Sequence, residues 1–375
     1  MPGRLIKFNV DWILFSAIVP LLLAGLVTMR PFTGGEGSYF FTRQVIWIFI
    51  GVVLFFAFSR VDWRFLKTSG VLLLLFGISA AVLLFLLAVG KLVRGASSWF
   101  DLFFFSVEPA EPIKLFLILL LAKYFSRRHI EIANFKHIAV SGLYAGILAF
   151  LVFLQPDFGS AAVFFFIWFG MSVVSGLSKK HLLLVFSAVV LVFLVSWIFV
   201  LKPYQKERIS TFLDPLRDPQ GSGYNALQSM IAVGSGQILG KGLGFGTQSR
   251  LEFLPEYRTD FIFAAFSEEW GFVGVFIIFL CFGILIWRIL RNASFGPTNF
   301  ERLFGAGLSI FLFIHFVFHV GMNIGVLPIT GLGMPFISYG GSQMVTVFAG
   351  LGILMGMRKY SQRLPQEDAG VEFLG

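Results

Sequence analysis

Ten apolar runs, separated by mostly short polar connections, follow one another along the chain. They fall near residues 11–29, 45–59, 69–90, 112–125, 137–154, 160–177, 182–201, 261–287, 303–325 and 343–357. A helix that crosses a bilayer needs about 20 apolar residues. The pattern therefore predicts an all-α, polytopic membrane protein with about ten transmembrane helices, a single integral membrane domain formed by residues 1–375. The fourth and sixth runs are short, which leaves open whether they cross fully or are tilted or re-entrant.

The longest connection, residues 202–259, differs from the others. It is too long to be structureless by default. Within it, Leu227, Met230 and Ile231 have the i, i+3, i+4 spacing of one helix face. We predict a large extracytoplasmic loop that contains an interfacial amphipathic helix.

Lysine and arginine are distributed unevenly between the two sides of the predicted membrane. With the N-terminus inside, the inner connections and both termini hold 16 basic residues, whereas the short outer connections hold only Arg30, Arg43, Lys91 and Arg94. Because positively charged connections stay in the cytoplasm, both termini are predicted to be cytoplasmic. The first run lacks a small-residue cleavage site and is predicted to be an uncleaved helix.

The composition supports a membrane protein. Hydrophobic residues make up 57% of the chain and charged residues 13%, about half the charged fraction of soluble domains. A soluble enzyme, a nucleic-acid-binding protein and a coiled coil are excluded, and the net charge of +9 follows from the basic inner connections. The single cysteine, Cys281, excludes an intrachain disulfide.

An ionisable residue within a span costs roughly 2.5–3.5 kcal/mol on insertion scales, and four such residues stand out at the start of the fourth run and inside the eighth. Glu111 and Lys114 are three residues apart and within pairing distance on a helix. They form either a structural ion pair or the polar wall of a cavity that opens outward. Glu268 and Glu269 lie inside the eighth run, and Asp260 lies at its outer mouth. On one straight helix Glu268 would lie about 12 Å deeper than Asp260, so this helix is predicted to carry acids into the membrane.

Simpler explanations remain open for some of these residues. Asp260 taken alone fits a helix N-cap. Gly240-Lys241 lacks the preceding glycine and the following Ser or Thr of a phosphate-binding P-loop. His315 and His319 have metal-ligand spacing, but no glutamate follows His315, and we predict packing or hydrogen bonding for both.

Four segments, taken in order, resemble the SEDS family (shape, elongation, division and sporulation), which includes RodA and FtsW. They cover the chain from about residue 94 to 342. The segments are 95–99 (GASSW) with 108–114 (EPAEPIK), 155–159 (QPDFG), 204–269 with its YQKER, DP, GKG, PE and TDFIFA elements, and 335–342 (PFISYGGS). Two positions depart from the family's pattern. Ser98 replaces a usual arginine, which puts phosphate handling in doubt, and Glu108 replaces a usual glutamine, which adds a negative charge.

The resemblance implies a peptidoglycan glycosyltransferase that polymerises lipid II at the outer face of the bacterial cytoplasmic membrane. It also implies a divalent cation, Mg²⁺ or Mn²⁺, and a class B penicillin-binding protein as partner in an elongation or division complex. Membrane lipids surround such a protein, and no nucleic acid is expected. The short tail before the first span favours the RodA-like elongation type over the division type.

On this interpretation Asp260 is the general base. It removes the proton of the acceptor 4-hydroxyl as that oxygen attacks C1 of the donor sugar with inversion. Arg208 and Lys241 match family motif positions and are candidates for diphosphate binding, and Trp99 is either a sugar platform or an interfacial tryptophan. The full set of predicted substrate-binding residues is Arg208, Lys241, Trp99, Glu111, Lys114, Glu268 and Ser338.

Two other functions remain possible from the sequence. A lipid II flippase, or another polytopic transporter, would also place buried acids and glycine-interrupted spans along its pathway. The polar residues gather near the outer face rather than the midplane, and no inverted repeat is visible. A non-catalytic scaffold would not need the outward acidic and basic cluster.

Overall fold

The computed structural model describes residues 11–361 except 31–35, 69, 90, 94, 95, 103, 104, 128–134, 200–202, 222 and 252. Fourteen helices make up most of this part of the chain. They are α1 (Trp12–Met29), α2 (Glu36–Phe58), α3 (Phe65–Thr68), α4 (Val71–Val89), α5 (Ala110–Ser126), α6 (Phe135–Leu154), α7 (Phe158–Val174), α8 (Lys179–Phe199), α9 (Pro203–Leu213), α10 (Tyr224–Ser235), α11 (Thr247–Arg250), α12 (Ile262–Ser294), α13 (Asn299–Asn323) and α14 (Gly341–Ser361).

Each of the ten predicted apolar runs coincides with one helix. Within the described residues, seven helices are long and apolar enough to cross a membrane: α1, α2, α4, α6, α8, α12 and α13. The other three runs are α5 and α7, with 17 residues each, and α14, with 21. The predicted fold class, all-α and polytopic, is confirmed.

A small antiparallel sheet lies in the connection between α4 and α5. Its strands are β1 (Lys91–Val93), β2 (Ala96–Leu102) and β3 (Phe105–Val107), in the order β1-β2-β3. The aromatic and β-branched residues of this connection favour strands, but the prediction treated it as plain loop. The sheet contacts the end of α4.

The core of the bundle is formed by α5 and α13. Most residues of both helices are buried, and α13 packs against α5, α7, α12 and α14. In the outer loop, the predicted amphipathic helix is α10. Its buried residues are Ser229 and Ala232, however, whereas Ile231 of the predicted apolar face is half exposed.

Both ends of the described chain lie at the same end of the bundle. Asp11 caps α1 by accepting hydrogen bonds from the N–H groups of Ile13 and Leu14. The same carboxylate pairs with Arg288 of α12 at 2.6 Å, and Arg358 of α14 lies 3.6 Å away. An even number of crossings explains this arrangement. That this end is cytoplasmic stays a prediction.

Helix α12 is broken at Gly271, whose φ of 61° and ψ of −164° are not helical. The ring centroids of Phe263 and Phe279 are 6.3 Å apart, although sixteen residues of straight helix would separate their Cα atoms by about 24 Å. The two parts, residues 262–270 and 272–294, therefore fold towards each other. The second part alone is about 34 Å long, which is enough to cross a bilayer.

The outer loop fills the break in α12. The N–H of Phe272 donates to the carbonyl of Gln237 at 2.9 Å, and a Cβ at Gly271 would lie 2.2 Å from the nitrogen of Gly240. Glu268 thus lies beside the break at the end of the short outer part. The prediction that one straight helix carries acids into the membrane is wrong, because the chain bends before it crosses.

Candidate functional site

Asp260 ends the outer loop and directly precedes the outer part of α12. The N-cap of that helix is Phe261, and no side chain caps it. The carboxylate of Asp260 is partly buried and lies 3.8 Å from a Cβ built on Gly331. The N-cap explanation for Asp260 is therefore not supported, and its side chain faces a neighbouring loop.

That neighbouring loop, residues 329–334, crosses the outer end of the bundle, and we call it the central strap. His319 Nδ1 of α13 donates to the carbonyl of Leu332 at 2.8 Å. Gln343 Nε2 of α14 donates to the carbonyl of Gly333 at 2.9 Å. On the α7 side, a Cβ at Gly159 would lie 2.8 Å from the carbonyl oxygen of Thr330. The strap is thus fixed by three helices between Asp260 and the start of α7.

Two buried side chains hold the backbone around Asp260. Asn323 Nδ2 donates to the carbonyl of Asp260 at 3.0 Å, and its Oδ1 accepts from the N–H of Ala264 at 3.1 Å. Ser338 Oγ donates to the carbonyl of Thr259 at 2.9 Å. Ser338 also accepts from the N–H of Met334, so the geometry favours a positioning role over the predicted substrate contact.

Glu111 and Lys114 form the predicted ion pair on the far side of the strap. Lys114 Nζ lies 2.8 Å from Glu111 Oε1 and 3.4 Å from His315 Nε2, and all three side chains are at most 5% exposed. The two residues therefore pair as predicted, and a role of the pair in the wall of a substrate cavity stays a prediction. His315 and His319 both hydrogen-bond within the protein, as predicted.

Glu108 and Asp157 border this pair. The N–H of Glu108 donates to Ser342 Oγ at 2.9 Å, and Ser160 Oγ donates to Glu108 Oε1 at 3.4 Å. Burial raises the pKa of Glu108 to about 8, and the carboxylates of Glu111 and Asp157 add to this effect. Glu108 is therefore largely protonated at neutral pH. The raised pKa favours the neutral acid, which resembles the glutamine usual at this position, and the charge of Glu108 stays a prediction.

Glu268 anchors the glycine-rich part of the outer loop. Its carboxylate is fully buried and accepts from Lys241 Nζ at 2.7 Å, from Thr247 Oγ1 at 3.0 Å and from the N–H of Gln248. Lys241 also reaches Thr247 Oγ1 at 2.9 Å and stays 29% exposed. The structure thus joins two predicted site residues to each other rather than leaving both directed at a substrate.

The remaining predicted residues are placed less directly. Trp99 lies in β2, opposite Lys91, and is partly buried. Its neighbour Ser98 is buried, and its hydroxyl has no hydrogen-bond partner among the described residues. Arg208 belongs to α9, but its side chain lies outside the described residues.

The described residues do not fit a divalent cation held by the protein alone. No group of three or more His, Cys, Asp or Glu side chains in this part of the chain has metal-binding geometry. Glu108 and Asp157 interact electrostatically with Glu111 and Lys114, and the Lys114 ammonium already pairs with Glu111.

An apolar cavity of about 280 Å³ adjoins the central strap. It lies under the outer loop, between α9, α10 and the segment that follows α13. Its lining includes Met230, Met322, Leu327 and Ile329. The site thus combines a carboxylate, a fixed strap and a neighbouring apolar space.

Sequence reasoning missed Asn323, Gln343 and the role of Asp157. Asn323 is an amide at the outer end of an otherwise apolar run, and that isolated position was a usable signal. Asp157, in the QPDFG segment, caps α7 by accepting from the N–H of Ser160 at 2.9 Å.

The chain is similar to a known protein family and to several named proteins. Residues 5–363 match the family model FTSW_RODA_SPOVE, described as "Cell cycle protein". The stage V sporulation protein E of Bacillus subtilis (strain 168) is 35% identical over 366 residues, covering 95% of this chain and 99% of that protein. The peptidoglycan glycosyltransferase MrdB of Escherichia coli (strain K12) is 35% identical over 361 residues, covering 96% of each.

Solved structures with the same fold also match. One chain belongs to the structure that describes structural coordination of polymerization and crosslinking by a peptidoglycan synthase complex. Its TM-score is 0.80 at 32% identity, covering 96% of this chain and 100% of that one. The rod shape determining protein RodA of Thermus thermophilus has a TM-score of 0.69 at 29% identity, covering 95% and 99%.

Proposed function

The chain belongs to the FtsW, RodA and SpoVE family of cell cycle proteins, and from this membership we propose that it is a peptidoglycan glycosyltransferase that polymerises lipid II. The observation that carries the proposal is the placement of Asp260. Its carboxylate is partly buried and lies beside the central strap, and Asn323 and Ser338 hold the backbone carbonyls of Asp260 and Thr259.

Asp260 acts as the general base. It accepts the proton of the acceptor sugar's 4-hydroxyl as that oxygen forms a bond to C1 of the donor sugar. The bond between C1 and the diphosphate oxygen breaks, and the polyprenyl diphosphate leaves with the electron pair. A single base opposite the leaving group gives inversion and a β-1,4 link, and proton transfer of this kind contributes about 10²–10⁴-fold in rate.

The rest of the site binds and positions. The strap and its contacts with α7, α13 and α14 keep the surface opposite Asp260 fixed, and the buried Glu111–Lys114 pair supports it from below. The apolar cavity beside Ile329 suits part of a polyprenyl chain. Lys241 and Arg208 remain proposed diphosphate ligands. We propose that Mg²⁺ or Mn²⁺ binds chiefly through the substrate's phosphates, as is usual for Mg²⁺.

The partner and location are proposed on the same basis. A chain of similar fold belongs to a peptidoglycan synthase complex that polymerises and crosslinks, which supports a class B penicillin-binding protein as partner. The multi-pass fold supports a membrane protein, and the contact between Asp11 and Arg358 supports both ends on one side, which we propose is the cytoplasmic side. The relatives include a stage V sporulation protein, a probable peptidoglycan glycosyltransferase FtsW and a rod shape determining protein, at 29–36% identity, so the elongation role stays a prediction.

A transporter is the second candidate, because discontinuous helices mark many transport pathways. In α12 the break lies at Gly271, before a part long enough to cross the membrane alone, and the outer loop fills it. Transporter breaks lie near the midplane instead. The position of this break therefore favours the enzyme.

A polymerisation assay tests the proposal. Purified protein, fluorescent lipid II and Mn²⁺ are incubated, and glycan strands are resolved on a gel. We expect Asp260→Asn to lower the rate by about 10²–10⁴-fold with unchanged thermal stability. The control is Asp62→Asn, which replaces an exposed aspartate that pairs only locally with Arg64. A folded Asp260→Asn protein that polymerises at the wild-type rate would refute the assignment, and flipping without polymerisation by the wild type would favour the transporter.

A further inference from the structure

Two arginines lie among aromatic rings on the α2 side of Asp260. The Arg258 guanidinium carbon is 4.5 Å from the ring centroid of Tyr257 and 5.1 Å from that of Phe40. The Arg43 guanidinium carbon is 4.0 Å from the ring centroid of Tyr39. We call Arg43, Arg258 and the rings of Tyr39, Phe40, Tyr257 and Tyr339 the arginine–aromatic patch.

Long-range contacts hold the patch together. Phe40 and Tyr339 form an edge-to-face pair with centroids 4.9 Å apart. The N–H of Tyr339 donates to the carbonyl of Arg258 at 3.0 Å, and Arg43 is within hydrogen-bonding reach of the Tyr339 hydroxyl. The patch therefore joins the outer end of α2 to the segments on both sides of Asp260, and its geometry is fixed.

The positive charge of the patch is not balanced within the described residues. No carboxylate there pairs with Arg43 or Arg258, and Arg258 Nε is buried without a hydrogen-bond partner. Lys114, Lys241 and Arg288, by contrast, all have carboxylate partners. A buried unpaired N–H costs free energy, and an anion that accepts from it would remove that cost.

The position of the patch indicates the kind of anion. Tyr39 is half exposed, and Val45 and Ile46 below it on α2 are exposed apolar residues, as expected of a surface that faces lipid. Aromatic rings at such a level are typical of the membrane–water interface. Guanidinium groups bind phosphate with two parallel hydrogen bonds. An anion that reaches the patch from the bilayer is the phosphate group of a lipid.

We propose that Arg43 and Arg258 bind the diphosphate of the polyprenyl-linked substrate where it enters from the bilayer, on the α2 side of Asp260. The inference rests on the proposed function, because that function supplies a lipid diphosphate. It assigns the diphosphate contact to Arg258, two positions before the general base, and to Arg43 of α2. It adds to the diphosphate contacts proposed above for Arg208 and Lys241, of which Lys241 is also paired with Glu268.

Binding is measured without catalysis. Purified protein in detergent is titrated with farnesyl diphosphate and with farnesyl phosphate, and protein in nanodiscs is titrated with phosphatidylglycerol. We expect wild type to prefer the diphosphate, and Arg258→Gln and Arg43→Gln each to weaken its binding roughly 10–100-fold, the range of a charged hydrogen bond. Arg258→Lys keeps the charge without the planar fork and should bind with intermediate affinity. Arg217→Gln, an exposed arginine of the same loop, is the matched control.

The outcomes separate the alternatives. Unchanged diphosphate affinity in Arg258→Gln overturns the proposal, and so does an equal loss for phosphatidylglycerol, which indicates a general headgroup site. If Arg258→Gln has a lower melting temperature than wild type, the diphosphate affinity of Arg258→Lys tests the proposal instead. Patch-dependent binding in a protein that never polymerises lipid II would refute the proposed function and leave this site standing.

Discussion

Replacing Glu108 by glutamine should change how the stability of the protein depends on pH. The folded protein holds this carboxyl with a pKa of about 8, against an ordinary value of 4.5. Between these two values the folded state binds more protons than the unfolded state. The contribution of Glu108 to the free energy of unfolding is therefore greatest below pH 4.5. It falls as the pH rises towards 8.

The size of the effect follows from the two pKa values. Their difference corresponds to a loss of at most about 5 kcal/mol in the free energy of unfolding between the two pKa values. Contact with solvent reduces this limit. Glutamine keeps the acceptor for Ser160 Oγ and cannot ionise. Glu108→Gln should thus match wild type near pH 4.5 and melt at a higher temperature at pH 8.

Thermal melting of detergent-purified protein from pH 4.5 to 9 measures how the stability of wild type and of Glu108→Gln changes with pH. Glu207→Gln, which changes an exposed carboxylate of α9, should keep the wild-type slope. If Glu108→Gln and wild type lose stability in parallel as the pH rises, Glu108 is ionised in the folded protein. The reasoning from its surroundings would then be incorrect.

Three further outcomes are expected. Asn323→Leu removes the side chain that holds the Asp260 carbonyl, so kcat should fall about 10–100-fold while substrate binding is kept, and an unchanged kcat would show that Asn323 does not position the base. Gly271→Ala adds a Cβ 2.2 Å from Gly240 nitrogen at a φ of 61°. Thermal melting should therefore show a loss of roughly 3 kcal/mol in the free energy of unfolding. A variant that melts like wild type would contradict the break in α12. Lys114→Met leaves the Glu111 carboxylate buried without its lysine, which should lower the free energy of unfolding by about 3–5 kcal/mol. The double variant Glu111→Leu, Lys114→Met should recover most of that loss in the same melting assay.

Features that depend on local pattern could be predicted. The apolar runs were recognisable because lipid-facing helices must be apolar along most of their length. The Glu111–Lys114 pair was recognisable because residues at i and i+3 share a helix face. Asp260 was singled out by its motif and by its place at the mouth of a run.

Features that depend on distant segments could not be predicted in the same way. Lys241 and Glu268 are 27 positions apart, and nothing in the local pattern pairs them. The apolar run 261–287 reads as one helix, because the hydrogen bonds that stabilise the break come from Gln237 in the outer loop. The raised pKa of Glu108 likewise depends on burial by distant segments and on nearby acids, among them Asp157.

The break in α12 explains how a residue at the end of a long loop is held firmly enough to act as a base. On a continuous helix, Asp260 would project about 12 Å beyond Glu268, away from the bundle. The bend at Gly271 instead turns the outer part of α12 back, so that Asp260 reaches Asn323 and the strap. Asn323 holds one end of the outer part of α12, and Glu268 holds the other end through its contacts with the glycine-rich loop. The position of the base therefore depends on side chains from several segments, each of which can be substituted without altering the carboxylate.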